Sequence, residues 1–294
     1  MEQTLQQLVN GLSLGSIYAL IALGYTMVYG IINLINFAHG DIYMLGAYIG
    51  FAVTTFLHVG FIPAIIISMV SCAVIGIIVE KVAYKPIRNS TRIAALITAI
   101  AVSLFLEYGT MYFVKAETRT FPEELASKNI KLFNGGVVLN TTDIYILVIT
   151  IVLMIALQFI IHKTKMGKAM RAVSMDKEAA QYMGISIDKT ISFTFALGSA
   201  LAGVAGVLVG VYYNSINPLM GVLPGLKAFV AAVIGGIGII PGAVLGGYFL
   251  GMTETIVSAN GGSLYKDAVA FAVLIIILLV RPNGLLGKNV KEKV

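Results

Sequence analysis

Between Ile144 and Ile161 the chain carries no charged side chain, and stretches of the same kind recur along most of its length. A helix rises about 1.5 Å per residue, so about 20 apolar residues cross the ~30 Å hydrocarbon layer of a bilayer. In lipid such a segment satisfies its own backbone; in water it would expose apolar surface on every side. The repetition restricts the chain to one class, an all-α polytopic membrane protein. Composition agrees, at 58% hydrophobic and 12% charged residues with a mean hydropathy of +0.92, and excludes a soluble globular domain. A net charge of +6 on a soluble protein would raise nucleic acid as a partner. Here most basic residues flank apolar spans and read as topology signals. Glu2 and the lack of a basic leader region predict that the first span stays in the mature chain. The single cysteine, Cys72, excludes an intrachain disulfide.

In order, spans are expected at Leu5 to Tyr29, through Asn33 to Leu57, at Phe61 to Val82, Ile93 to Val114, Ile144 to Ile161, Ile191 to Val211 and Leu264 to Val280. Between the last two, Leu226 to Ser258 is interrupted by "GGIGIIPGAVLGG" (Gly235 to Gly247). Each half reads as too short to cross upright, which predicts a pair of short helices turning near Pro241. The count is about eight segments including this pair, in a single permease domain over 1–294. Two small-residue faces, Gly11/Gly15/Ala19 and Gly198/Ala202/Gly206/Gly210, predict close helix contacts. The connection 115–142 contains "KLFNGGVVL", which predicts a hairpin around Asn134-Gly135.

Charge sets the orientation. Of the 20 Lys/Arg, 14 lie in 81–92, 163–189 and 281–293, and the positive-inside rule assigns those stretches to the cytoplasm. The connection 115–142 and the N-terminus are then outside, and the C-terminus inside. The interval 163–189, "KTKMGKAMRAVSMDKEAAQYMGISIDK", is the longest polar stretch on the inner side. Asp176 as N-cap and Gly184 as C′ residue bracket a helix of about two turns whose Ala179, Ala180 and Met183 share a face. So short a helix needs a partner to form against.

The pattern of Gly167, Arg171, Ala172, Asp176, Glu178, Ala179, Ala180 and Gly184 resembles the cytoplasmic coupling loop of ABC importer permeases, and Met183 joins its docking face. "GSIYALIALGYTMVYGIINLINFAHGD" (Gly15 to Asp41), the glycine-broken segment and "RPNGLLG" (Arg281 to Gly287) look like the branched-chain amino acid ABC importer permeases. Of the two usual subunits, the chain is similar to the LivH-like one. The resemblance implies a transport subunit of a bacterial or archaeal cell (inner) membrane that is not itself an enzyme. It also implies a homologous second permease, two cytoplasmic ATPases that bind ATP and Mg, and an extracytoplasmic binding protein, for import of leucine, isoleucine and valine. No cofactor or metal is expected on this chain, and no nucleic acid, only membrane lipid. The nearest approach to a P-loop, "GISIDKT" (Gly184 to Thr190), has Asp188 where glycine is required.

Candidate path residues are Asn33, Asn36, Phe37 and His39 in the first break, and Gly235, Gly236 and Gly238 in the second. Asn33 and Asn36 either line a path or satisfy freed backbone groups. His39 with Asp41 reads as a cap and an interfacial histidine rather than a catalytic or metal pair. Glu107 and Glu254 are acids inside apolar spans, either functional or placed near an interface. The competing function is an ion- or proton-coupled secondary carrier, in which broken helices also occur. A membrane-embedded hydrolase lacks a nucleophile.

Overall fold

The computed structural model describes residues 2–32, 34–88, 90–122, 129–132 and 137–287. Among these, α1 (Glu2–Ile32) is followed by α2 (His39–Leu57) and α3 (Phe61–Val79). A π-turn (Glu80–Tyr84) leads from α3 into the short α4 (Lys85–Ile87), and α5 (Arg92–Val114) comes next. Strands β1 (Asn129–Leu132) and β2 (Val137–Asn140) precede α6 (Thr141–Lys163), α7 (Lys165–Met175), α8 (Lys177–Tyr182) and α9 (Ile187–Tyr213). The chain ends with α10 (Val222–Gly235), α11 (Ile240–Val257), a π-turn (Ser258–Gly262) and α12 (Lys266–Val280). Seven of these helices are long and apolar enough to cross a membrane, while α10 is shorter at 14 residues.

Helix α1 is the centre of the bundle, buried along most of its length, as befits a helix with no polar face. Its glycines explain how it is surrounded. A Cβ on Gly15 would meet the Tyr248 backbone of α11, and one on Gly247 would lie 2.5 Å from the Ala19 nitrogen. The first small-residue face is thus the α1–α11 contact. The second divides its work: Gly198 of α9 packs on Gly24 of α1, and Gly206 on the Tyr43 carbonyl of α2. Without Cβ atoms the backbones approach closely, and dispersion rather than water-driven burial holds them.

The two ends of the bundle are distinguishable by hydrogen bonds. At one, the Gln6 side chain bonds both the N–H and the C=O of Val138, tying the hairpin to α1. Asn140 and Asp143 form a capping box on α6, and Ser13 donates to Asp143 at 2.8 Å. The strands pair antiparallel with Asn129 opposite Asn140, the arrangement expected about Asn134-Gly135, although that dipeptide lies outside the described residues. At the other end, Gly30 of α1, Arg171 of α7 and Gly238 line one small cavity.

The glycine-broken pair departs from expectation in one half. Gly221 and Gly225 pack on Gly40 beside Tyr25, so α10 begins part-way along α1, and it ends where Gly238 meets Gly30. The turn uses Gly236 (φ +107°) and Gly238 (φ +88°), conformations that favour glycine. Helix α11, expected to be too short to cross, forms with the π-turn a 23-residue apolar segment, Ile240–Gly262, which kinks at Asn260 and Gly261. The turn lies at the α7 end, and Pro241 sits in the first turn of α11, where its missing N–H costs nothing.

Candidate translocation path and coupling surface

The α7–α8 surface is built by local capping. Thr164 accepts from the Gly167 N–H at 3.0 Å, and Gly167 lies against the Ile160 and Ile161 carbonyls with no room for a Cβ. This lets α7 fold sharply off α6, burying Met170 and Val173. Asp176 caps α8 by accepting from the Ala179 N–H at 3.0 Å. The helix closes with the Ile185 N–H donating to the Ala180 C=O at 3.0 Å and Gly184 at φ +78°, a six-to-one closure that the left-handed residue permits.

The outward face differs from the one expected. Ala180 is 4% exposed, tucked inside the chain's own loop, whereas Met175 (90%), Tyr182 (88%) and Met183 (82%) stand out with Ala179. Ala179 and Ala180 differ by about 100° around a helix, and the turn into α9 covers the side carrying Ala180. Arg171 and Glu178 are exposed, Ala172 is half-buried, and Gly167 and Asp176 shape the fold of the loop.

A clasp joins this surface to the bundle. The Glu80 carboxylate, fully buried, accepts from Arg88 at 2.5 Å and from Ser192 at 2.6 Å. Arg88 and Lys85 then each reach Asp188 at 2.7 Å. The exposed Lys85–Asp188 arm contributes at most about 1 kcal/mol. Stranding Glu80 by removing its partner costs about 3–5 kcal/mol. These contacts tie together α4, the end of α3 and the start of α9.

Between α2, α5 and the start of α10 is a cavity of about 520 Å³ lined by Phe37, Asp41, Ser103, Leu104, Glu107 and Gly225, among others. Ser103 donates to the Asp41 carboxylate at 2.5 Å, and Glu107 faces Asp41 across the helix interface. Glu107 is buried within the bundle. Of the other path candidates, Asn33 lies outside the described residues. The Asn36 side-chain Oδ1 accepts from the Tyr84 hydroxyl at 2.6 Å. Neither His39 nor Asp41 caps α2, which Ala38 precedes without a side-chain cap, and both are buried. The His39 ring packs against Gly24, lies edge-on to Tyr25 at 4.7 Å, and has Nε2 3.2 Å from the Ile21 carbonyl. Among the described residues no three His, Cys, Asp or Glu side chains converge on a metal site.

Gly235 packs on Gly242 and Gly236 on the Asn283–Gly287 backbone, while Gly238 lines a wide vestibule of about 1170 Å³ at the α7 end. The terminal motif has a definite task there. Leu285 and Leu286 donate their N–H groups to the Ile234 and Gly235 carbonyls at 2.8 and 3.1 Å, satisfying the open end of α10. The sequence reading did not anticipate that the two motifs meet. It also missed Lys227, which is buried and paired with Glu254 at 3.0 Å and Asp267 at 2.5 Å, with the Tyr18 hydroxyl donating to Glu254. One lysine and two acids in neighbouring apolar segments were the available signal.

The sequence matches, over residues 7–278, a family described as the branched-chain amino acid transport system permease component. The chain belongs to that family. The LivH permease of Salmonella typhimurium is 45% identical, covering 99% of this chain and 97% of its own length. BraD of Pseudomonas aeruginosa is also 45% identical, covering 99% and 98%. LivH of Methanocaldococcus jannaschii is 31% identical, covering 94% and 90%. The permease is thus matched from end to end, with the glycine-mediated helix contacts, the α7–α8 loop and the terminal cap inside the shared length.

Proposed function

We propose that this permease forms part of the translocation path of an ATP-driven importer for leucine, isoleucine and valine. The observation that carries the reading is 45% identity to named branched-chain amino acid permeases across 99% of the chain. The proposed partners are a homologous permease, two ATPases holding ATP and Mg on the α7–α8 side, and an extracytoplasmic binding protein. The exposed Met175, Tyr182 and Met183 support docking on that side, since apolar side chains on a basic loop suit a protein groove. The cavity beside Asp41 and Glu107 supports a path between α2, α5 and α10.

The test is uptake by the permease reconstituted with its partner subunits and binding protein. Leucine should accumulate only with ATP, and an uncoupler should have no effect while ATP is held constant. Immediate collapse under the uncoupler would instead indicate a secondary carrier. In the same assay Leu104→Trp, which narrows the cavity, should lower uptake severalfold; unchanged uptake would place the path elsewhere.

For orientation, the 14 Lys/Arg of the sequence stretches 81–92, 163–189 and 281–293 support a cytoplasmic α7–α8 loop and C-terminus with an external N-terminus. In a Cys72→Ser background, an impermeant thiol reagent applied to intact cells should label Glu117→Cys and spare Ser174→Cys, both positions being exposed. Labelling of Ser174→Cys from outside reverses the assignment.

A further inference from the structure

On the outer flank of the bundle, α6 and the start of α11 enclose a groove of about 560 Å³. Its walls are Met154, Ile155, Phe159 and Val244, and its α7 end is rimmed by His162 and Lys163. The groove continues into the vestibule through Gln158, His162, Ile240 and Pro241, and the vestibule adds Arg171. No acidic side chain lines either space among the described residues. Lys163 and Arg171 have no carboxylate partner among them. His162 turns Nδ1 to the Gln158 carbonyl at 3.1 Å, which leaves Nε2 available.

We propose that this groove is a binding site for one anionic phospholipid of the leaflet at the α7 end, its acyl chain between α6 and α11 and its phosphate on His162, Lys163 and Arg171. Two features select this occupant. The depth profile is amphipathic in the sense of a lipid, apolar along the helices and cationic only at the helix ends. A peptide partner would also need backbone hydrogen bonds, and the apolar walls present almost none. Basic pockets between spans at the membrane surface attract anionic headgroups, with each Lys or Arg near the surface adding roughly fivefold to the affinity. A lipid there would brace α6 against α11 next to the Gly236–Ile239 turn.

The test is native mass spectrometry of the full-length protein with its partner subunits, exchanged into detergent containing equal phosphatidylglycerol and phosphatidylethanolamine. Wild type should retain phosphatidylglycerol over phosphatidylethanolamine by roughly tenfold or more, two cationic contacts at about fivefold each making that a lower bound. The double variant His162→Gln/Lys163→Gln, at exposed positions, should lose roughly fivefold or more of that preference. Ile155→Trp, at a position already 60% exposed, should fill the groove and release the lipid with the cations intact. Equal retention of the two lipids by wild type, or unchanged retention in either variant, overturns the proposal. Displacement by inorganic phosphate alone also overturns it, since that would mean a bare anion site.

Discussion

Gly247→Leu is expected to remove the permease from the membrane fraction almost completely. The Cβ alone would lie 2.5 Å from the Ala19 nitrogen and 2.6 Å from the Ala19 Cα, so the obstacle is the backbone of α1, not a side chain that can rotate away. Overpacking a close-packed interior typically costs 1–3 kcal/mol and more where no rotamer relieves it. Here the two helices would have to separate along the seam that also contains Gly11, Gly15 and Gly251, and α1 is the element on which the others pack. Gly60→Leu is the control, because nothing lies within 4 Å of a Cβ there and expression should match wild type. Quantifying both variants in membranes and by size-exclusion profile decides it. A monodisperse Gly247→Leu protein at wild-type yield would show that the α1–α11 seam is not the organising contact.

That seam was legible because four-residue spacing of glycine has one cheap use inside lipid, bringing a second backbone close. The partner was not legible, since α11 lies more than two hundred residues away and its own glycines read equally as a break. Both readings are correct for different glycines: Gly236 and Gly238 make the turn at positive φ, whereas Gly246, Gly247 and Gly251 are contact surface. Composition cannot separate these roles, because each asks only for a missing Cβ. Charge behaved similarly. Glu107 and Glu254 stand out as single acids in apolar spans, but their neighbours come from other helices, Asp41 of α2 beside Glu107 and Lys227 of α10 beside Glu254. The expectation that α11 was too short failed for a related reason: Gly242, Gly246, Gly247 and Gly251 lie inside an 18-residue helix, and the chain leaves helical geometry only at Asn260 and Gly261.

Substituting Met183 by glutamate is expected to leave the permease in the membrane at wild-type levels while reducing transport roughly tenfold or more, the factor that corresponds to about 1.4 kcal/mol. Met183 is 82% exposed at the end of α8, so a carboxylate there is solvated in the isolated subunit and costs the fold nothing. In the proposed complex the same side chain enters an apolar groove on the ATPase, where an unpaired charge is worth several kcal/mol against docking. Tyr182→Glu, beside it and equally outward, should act alike, and both should weaken co-purification of the ATPase. Ala180→Glu distinguishes docking from folding. Ala180 is buried within the loop, so its charge strikes the seat of α8 on its own chain. That variant should show protease sensitivity near the loop before any partner is present, which Met183→Glu should not. Full transport by a Tyr182→Glu/Met183→Glu double variant, with the ATPase still bound, would mean that force reaches the bundle by another surface. In that case the clasp of Glu80, Arg88 and Asp188 would need a different input, since the α8–α9 junction is the element next to it at the α7 end.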